Sequence, residues 1–255
     1  MSIRGGLTVF MHIPKTGGTT LHNVLSRKYR GEDFLHVKTV HTPIRDLAIE
    51  KAKSEKPFLI KGHLGYDEVK DIPGSFLFTF LRPPIPRVIS HYYFLKETPS
   101  VKHYEYLNQP GTTIESFYAQ KEKRDIDNCL VRYISGHHKD FGTINEEDYL
   151  LALHHLEHKI DFFGLQEHYD ESLIMLGEKL GWTLPVYRKT NLTRKKEVVS
   201  EKTLEFLKDA NKWDVLLFEK AKVIFKKKME GMSGVERRKL ARMKILNRIV
   251  SAVPF

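Results

Sequence analysis

At 255 residues, 41% hydrophobic and 29% charged, the chain has the composition of a soluble globular protein with room for one large core. No run of about 18 apolar residues occurs, which excludes a spanning helix, and a lone cysteine, Cys129, excludes an intrachain disulfide framework and fits a reducing compartment. The net charge of +10 is uneven: residues 226–255 hold nine Lys/Arg against two Asp/Glu, which is +7, so the rest of the chain, at +3, is close to neutral.

The N-terminus, MSIRGG, runs into an apolar stretch too soon for a secretory signal peptide. Leu7 to Leu25, LTVFMHIPKTGGTTLHNVL, then reads as a β-branched strand, a polar turn with Gly17 and Gly18, and a helix start near Thr19. Phe34 to Val40 is a candidate second strand, and Pro43 opens a helical stretch, IRDLAIEKAKS. Phe58 to Ile60 is a short buried strand leading to a loop at Gly62-His63. SFLFTFL, ending at Leu81, is an unbroken apolar run of the kind found in a central parallel strand. Arg82-Pro83-Pro84 ends it, and a helix is predicted over about 86–96. Residues 97–111 read as a loop; helical patterns follow at about 113–121, 126–135 and 145–158. IDFFGLQE is a late strand, Asp170 to Leu180 a helix, 185–196 a basic loop, and two helices over 200–210 and 213–228 complete the body. The alternation predicts an α/β fold: a P-loop-like parallel sheet with helices on both faces and a helical C-terminal part. The single domain is predicted over 1–228, with 229–255 as a basic tail that turns helical after Gly234. Arg238 and Arg242 share a stripe with Leu246 and Ile249, so the tail segregates its charges too poorly for a membrane-surface helix; a solvated helix or a subunit contact is expected.

The chemistry concentrates in three loops that a doubly wound sheet would place beyond its strand ends. In the first, two glycines allow close backbone approach, the helix start offers unpaired N–H groups and a positive dipole end, and Lys15 adds an ammonium. The lysine precedes the glycines, unlike the GxxxxGK[ST] order of ATP-binding loops, so a phosphate-bearing ligand other than ATP is expected. HIPKTGGTTL resembles the 5′-phosphosulfate loop of the sulfotransferases that use 3′-phosphoadenosine 5′-phosphosulfate (PAPS), closest to the carbohydrate branch with the heparan sulfate 2-O- and 6-O-enzymes and many bacterial relatives. The resemblance implies that Lys15 stabilises charge on the leaving phosphate, and that Thr16, Gly17, Gly18, Thr19 and Thr20 hold the 5′-phosphate. The segment TFLRPPIPRVISHYYF resembles the family's 3′-phosphate motif, with Arg82 and Ser90 eight residues apart. Pro83 stands where the family usually has a carboxylate, and Pro86 replaces a common Ser, which leaves the loop's usual anchoring open. Arg87 serves either as site support or in a structural ion pair.

His63, in KGHLGY, matches the family's histidine base, which takes a proton from the acceptor hydroxyl. Lys61 is a candidate to orient the sulfuryl group or the acceptor, and His12 a support for the loop. Asn128 and Arg132, in a helix these relatives carry, either face the acceptor or pack in the core with the arginine solvated; Arg188 and Thr190 match a late loop that closes over the nucleotide. His137-His138 and His154-His155 lack ligand spacing for a metal and read as solvent-exposed. The resemblance implies a metal-free O-sulfotransferase using PAPS on a hydroxyl acceptor, most plainly a carbohydrate. Without the Golgi anchor of its animal members, the chain reads as a cytoplasmic, bacterial enzyme that binds no nucleic acid. Two rivals stand beside this reading: a P-loop kinase or NTPase, and a basic nucleic-acid or membrane adaptor resting on the tail. Acceptor identity and oligomeric state are not legible.

Overall fold

The computed structural model describes residues 6–37, 58–188 and 199–252. Five strands, β1 (Leu7–Met11), β2 (Phe34–Val37), β3 (Phe58–Gly62), β4 (Phe76–Leu81) and β5 (Phe162–Leu165), form one parallel sheet in the order β2-β3-β1-β4-β5. Every residue of β1, β3, β4 and β5 is buried, which is why these strands read as continuous apolar runs rather than alternating ones. The edge strand β2 is only partly covered.

Eleven helices are described: α1 (Gly18–Lys28), α2 (Tyr66–Val69), α3 (Pro84–Lys96), α4 (Tyr104–Leu107), α5 (Ile114–Ala119), α6 (Cys129–Ser135), α7 (Glu146–His158), α8 (Tyr169–Lys179), α9 (Glu201–Ala210), α10 (Lys212–Glu230) and α11 (Gly234–Ala252). Even-numbered side chains of β1 and β4 (Phe10, Phe78, Phe80) stack together on one face, which α8 covers through Tyr169; Phe163 faces the other way, onto Phe225 of α10. A second, smaller core (Val88, Tyr92, Leu107, Phe117, Ile126, Leu207) packs α3 against the helices that follow it.

Several boundaries differ from the sequence reading for simple reasons. β3 runs on to Gly62 because the sheet continues past the apolar triplet. α3 starts at Pro84, two residues early, since the first-turn positions need no N–H partner and tolerate Pro84 and Pro86. Short turns of helix, Tyr66–Val69 and Tyr104–Leu107, appear where loops were read. The helical stretch after Pro43 lies outside the described residues. The C-terminal helix α11 is laid along α8: Met243 is fully buried, Lys239 pairs with Glu178 at 2.5 Å and Lys244 with Glu171 at 2.8 Å. Among the described residues no helix is long and apolar enough to cross a membrane.

Candidate active site

From β1 the chain crosses toward β2 and β3; from β4 it leads to β5 on the opposite side. The carboxyl ends of β1 and β4 therefore flank the point where the winding reverses, the usual place for a ligand crevice. A cleft of about 1490 Å³ opens there, and its walls include His12, Lys15, Gly17, Gly18, Thr19, Thr20, His63, Arg82 and Ser90. Three loops far apart in sequence thus meet at one site.

The first loop is shaped by its backbone. Gly17 caps α1 in the left-handed region (φ 96°), and Lys15 shares that region (φ 67°), which is uncommon for a residue with a Cβ. No side chain caps α1 and no acidic residue occupies its first turn, so the protein leaves the positive end of the helix uncompensated. Thr16 departs from the sequence reading: its hydroxyl is fully buried and donates to the Ile13 carbonyl at 2.8 Å, which leaves only its backbone for a ligand. The Lys15 ammonium lies 4.1 Å from the centre of the Phe94 ring.

Gly18 has a steric reason to be glycine, because a Cβ there would stand 1.8 Å from His12 Nε2. The His12 ring stacks on Phe10 at 5.3 Å and on His63 at 4.6 Å, so it has nowhere to go. Gly18→Ala is expected to cost roughly 1–3 kcal/mol of stability; thermal unfolding checks it, and a wild-type unfolding temperature would refute the wedge.

His63 is fixed through one ring nitrogen. Nδ1 donates to the His12 carbonyl at 2.8 Å, since a carbonyl only accepts, and Nε2 is left as the basic nitrogen on the cleft side. Burial holds its pKa below the ordinary histidine value; the His12 carbonyl and Asp125 pull the other way, while Lys61 and Lys123 add to the lowering. His12 is kept neutral by burial, with the neighbouring His63 and Lys61 adding to the effect. Lys61 is itself buried, 3% exposed, near the end of β3, where burial brings its ammonium down to about 8. Its charge is close enough to lower both imidazoles.

Arg82, directly after β4, donates NH1 to the Lys15 carbonyl at 3.1 Å and so ties the second loop to the first. This bond anchors a loop whose expected carboxylate is replaced by Pro83. Ser90, on the second turn of α3, lines the same cleft at 7% exposure. Arg87 is wholly buried and gives NH2 to the Asp125 carbonyl at 2.7 Å, a packing and positioning contact without a direct carboxylate partner among the described residues.

The weaker sequence candidates separate. Asn128 is buried and holds helices together: its amide donates to Asp127 and Ala210, and its oxygen accepts from the Trp213 and Asp214 N–H groups. Arg132 is buried, not solvated, ion-paired to Asp127 and donating to the Lys139 and Asp140 carbonyls. Both take the packing role of the two left open. Arg188 follows Tyr187, which lines the cleft, donates its hydroxyl to Asp170 at 2.8 Å and its N–H to Asn247 of α11 at 2.9 Å. Thr190 lies outside the described residues. The histidine pairs are more engaged than expected: His137 bonds Asp148 at 2.6 Å, His138 bonds Asp67 at 3.2 Å, and His155 bonds the Ile134 carbonyl while stacking on Tyr66. Asp67, Glu68 and His138 have ligand atoms within 4.8 Å of one another, yet Glu68 is already used to cap Gly65 N–H.

Sequence reasoning missed His91, Lys123, Asp125, Tyr133, Tyr169 and Lys244, all of which line the cleft. No motif marks them. Only the adjacency of His91 to Ser90 was a signal.

A parallel sheet whose switch point carries a glycine-turned loop, an arginine–serine pair and an oriented histidine defines a phosphate-handling α/β protein. The family model for galactose-3-O-sulfotransferase matches residues 5–248. The chain belongs to that sulfotransferase family. Comparison with curated protein sequences gives no match. Among solved structures, mouse sulfotransferase SULT7A1 complexed with PAP is similar at 15% identity and TM-score 0.42, over 83% of this chain and 66% of that one. The chain thus spans just under two thirds of that protein's length.

Proposed function

We propose that the protein transfers the sulfuryl group of PAPS to a hydroxyl of a carbohydrate acceptor. The observation that carries this reading is the pair of anion sites joined by the Arg82–Lys15 bond. A nucleotide phosphorylated at both its 5′ and 3′ positions needs two such sites, one at a helix start and one at an arginine fork. A nucleoside triphosphate needs one continuous cradle instead. The family to which the chain belongs supports sulfuryl transfer and a sugar as acceptor.

In the mechanism, the acceptor hydroxyl is hydrogen-bonded to His63 Nε2. As its oxygen attacks sulfur, the proton passes to the imidazole, the new O–S bond forms, and the bond from sulfur to the bridging phosphate oxygen breaks. Lys15 and the N–H groups of the loop and first turn meet the charge that develops on the leaving 3′-phosphoadenosine 5′-phosphate (PAP). The His12 carbonyl keeps the imidazole in the tautomer that accepts at Nε2. The lone cysteine, fully buried, supports a reducing, cytoplasmic setting.

Calorimetric titration with PAP, 5′-AMP and Mg-ATP tests the donor. PAP is expected to bind alone among the three, and Arg82→Ala to weaken it about ten- to a hundredfold, the loss of charged hydrogen bonds to the 3′-phosphate. Preference for Mg-ATP would restore the kinase rival.

A further inference from the structure

The cleft that His63 lines also holds polar groups outside the three loops described above. Lys123 precedes a single 3-10 turn (Arg124–Ile126) and Asp125 is its middle residue; both line the cleft together with His91 and Tyr133. The Lys123 ammonium stands 2.5 Å from Asp125 Oδ2, and the two side chains are 31% and 22% exposed. Although burial pushes the Asp125 carboxyl up, Lys123, His91 and Arg87 hold it below the ordinary carboxylate value, so it is an anion at neutral pH. Paired with Lys123, this carboxylate brings no net negative charge into a crevice built for phosphates. Lys123, Asp125 and His63 line the same cleft, where the carboxylate raises the imidazole against the effect of burial and Lys123 lowers it.

The turn is built into the fold. Arg87, one helical turn before Ser90, grips the Asp125 backbone from inside the protein. Arg124 is tied to Asp140 and to the His138 carbonyl, and the next residue, Asp127, is buried against Arg132. His91, 4% exposed, sits behind Asp125 with Nε2 4.0 Å from Oδ2, too far for a hydrogen bond. Among the described residues the close partner of Oδ2 is Lys123, and both residues line the cleft.

We infer that Lys123 and Asp125 form an acceptor subsite that reads a pair of neighbouring hydroxyls beside the one attacked. An ammonium that only donates and a carboxylate that only accepts, held side by side, complement a sugar diol, each of whose hydroxyls both donates and accepts. A monohydroxy acceptor such as a phenol or simple alcohol leaves the pair unmatched, and a buried or half-buried charge without its partner is costly to seat. The subsite therefore selects polyols and rejects lone alcohols. This inference rests on the sulfotransferase reading of the same cleft.

The test titrates PAP-saturated protein with methyl β-galactoside and with benzyl alcohol, for wild type, Asp125→Asn and Lys123→Met, with unfolding temperature followed throughout. The galactoside is expected to bind wild type better than benzyl alcohol. Each variant is expected to lose about tenfold or more of that affinity, as one charged hydrogen bond is worth, while PAP affinity stays as it was; Lys123→Met, which leaves Asp125 without its ion pair, is also expected to lower the unfolding temperature, and Asp125→Asn to leave it as it was. Unchanged galactoside affinity in the near-isosteric Asp125→Asn variant, equal binding of the two probes, or no galactoside binding to a protein that binds PAP would each overturn the subsite. Failure of PAP itself to bind would sink the donor reading, and the subsite with it.

Discussion

Replacing His63 by alanine is expected to lower kcat by about 10²–10⁴ while PAP still binds with wild-type affinity. The separation follows from the geometry. His63 directly follows β3 and meets the first loop through the His12 carbonyl and the face of the His12 ring. Removing the imidazole takes away the proton acceptor without disturbing Gly17, Gly18 or Arg82. The pH profile adds an independent reading. A histidine proposed as base works in its neutral form, and burial holds the folded-state pKa of His63 below the ordinary value. Turnover should therefore be lost as pH falls through a midpoint lower than that of ordinary histidine, and should be level from there toward pH 8. Above about 8 the Lys61 ammonium close to the ring gives up its proton, removing positive charge near an anionic centre, and the rate declines. The acid limb should vanish in His63→Ala, and the alkaline limb in Lys61→Met. An acid limb that survives in His63→Ala would assign the base to another group.

The loops that meet at the cleft are legible in the sequence because each is local. A strand, a two-glycine turn and a helix start lie within nineteen residues, Leu7 to Leu25, and the Arg82–Ser90 pair within nine. The sheet was legible for a related reason: strands buried on both faces leave unbroken apolar runs, as SFLFTFL does. What stayed hidden depends on long-range packing. Thr16 looks like a ligand hydroxyl in sequence, but the turn folds it inward onto Ile13. Arg132 looks solvated, yet the 139–142 segment wraps back to enclose it. The tail read as an appendage because its charge dominates its composition; a single buried methionine and two ion pairs lay it on α8, where Asn247 holds the Tyr187 backbone and Lys244 reaches the cleft wall. Lys123 and Asp125 carry no pattern at all, since a 3-10 turn leaves no periodicity to read.

Lys15→Met should be nearly as damaging as the loss of the base, lowering kcat by about 10²–10³. The ammonium is held where it can act late. Its backbone sits in the left-handed region, which only the surrounding loop can enforce, and its carbonyl is pinned by Arg82. The Nζ rests over the exposed Phe94 ring in a cation–π contact. Such a contact is weak enough to be given up when a better anion arrives. The bridging oxygen becomes that anion only as the bond to sulfur breaks, so Lys15 favours the transition state over bound PAPS. The expected signature is a fall in kcat with a smaller change in KM for PAPS, measured at saturating acceptor. Lys15→Arg should recover little, because a planar fork on a longer stem cannot put a point charge on one oxygen from this backbone position. A Lys15→Met enzyme with wild-type kcat and weakened PAPS binding would show that the lysine only holds the ground state, and would shift the whole burden of the leaving group to the amides of Gly17 to Thr20.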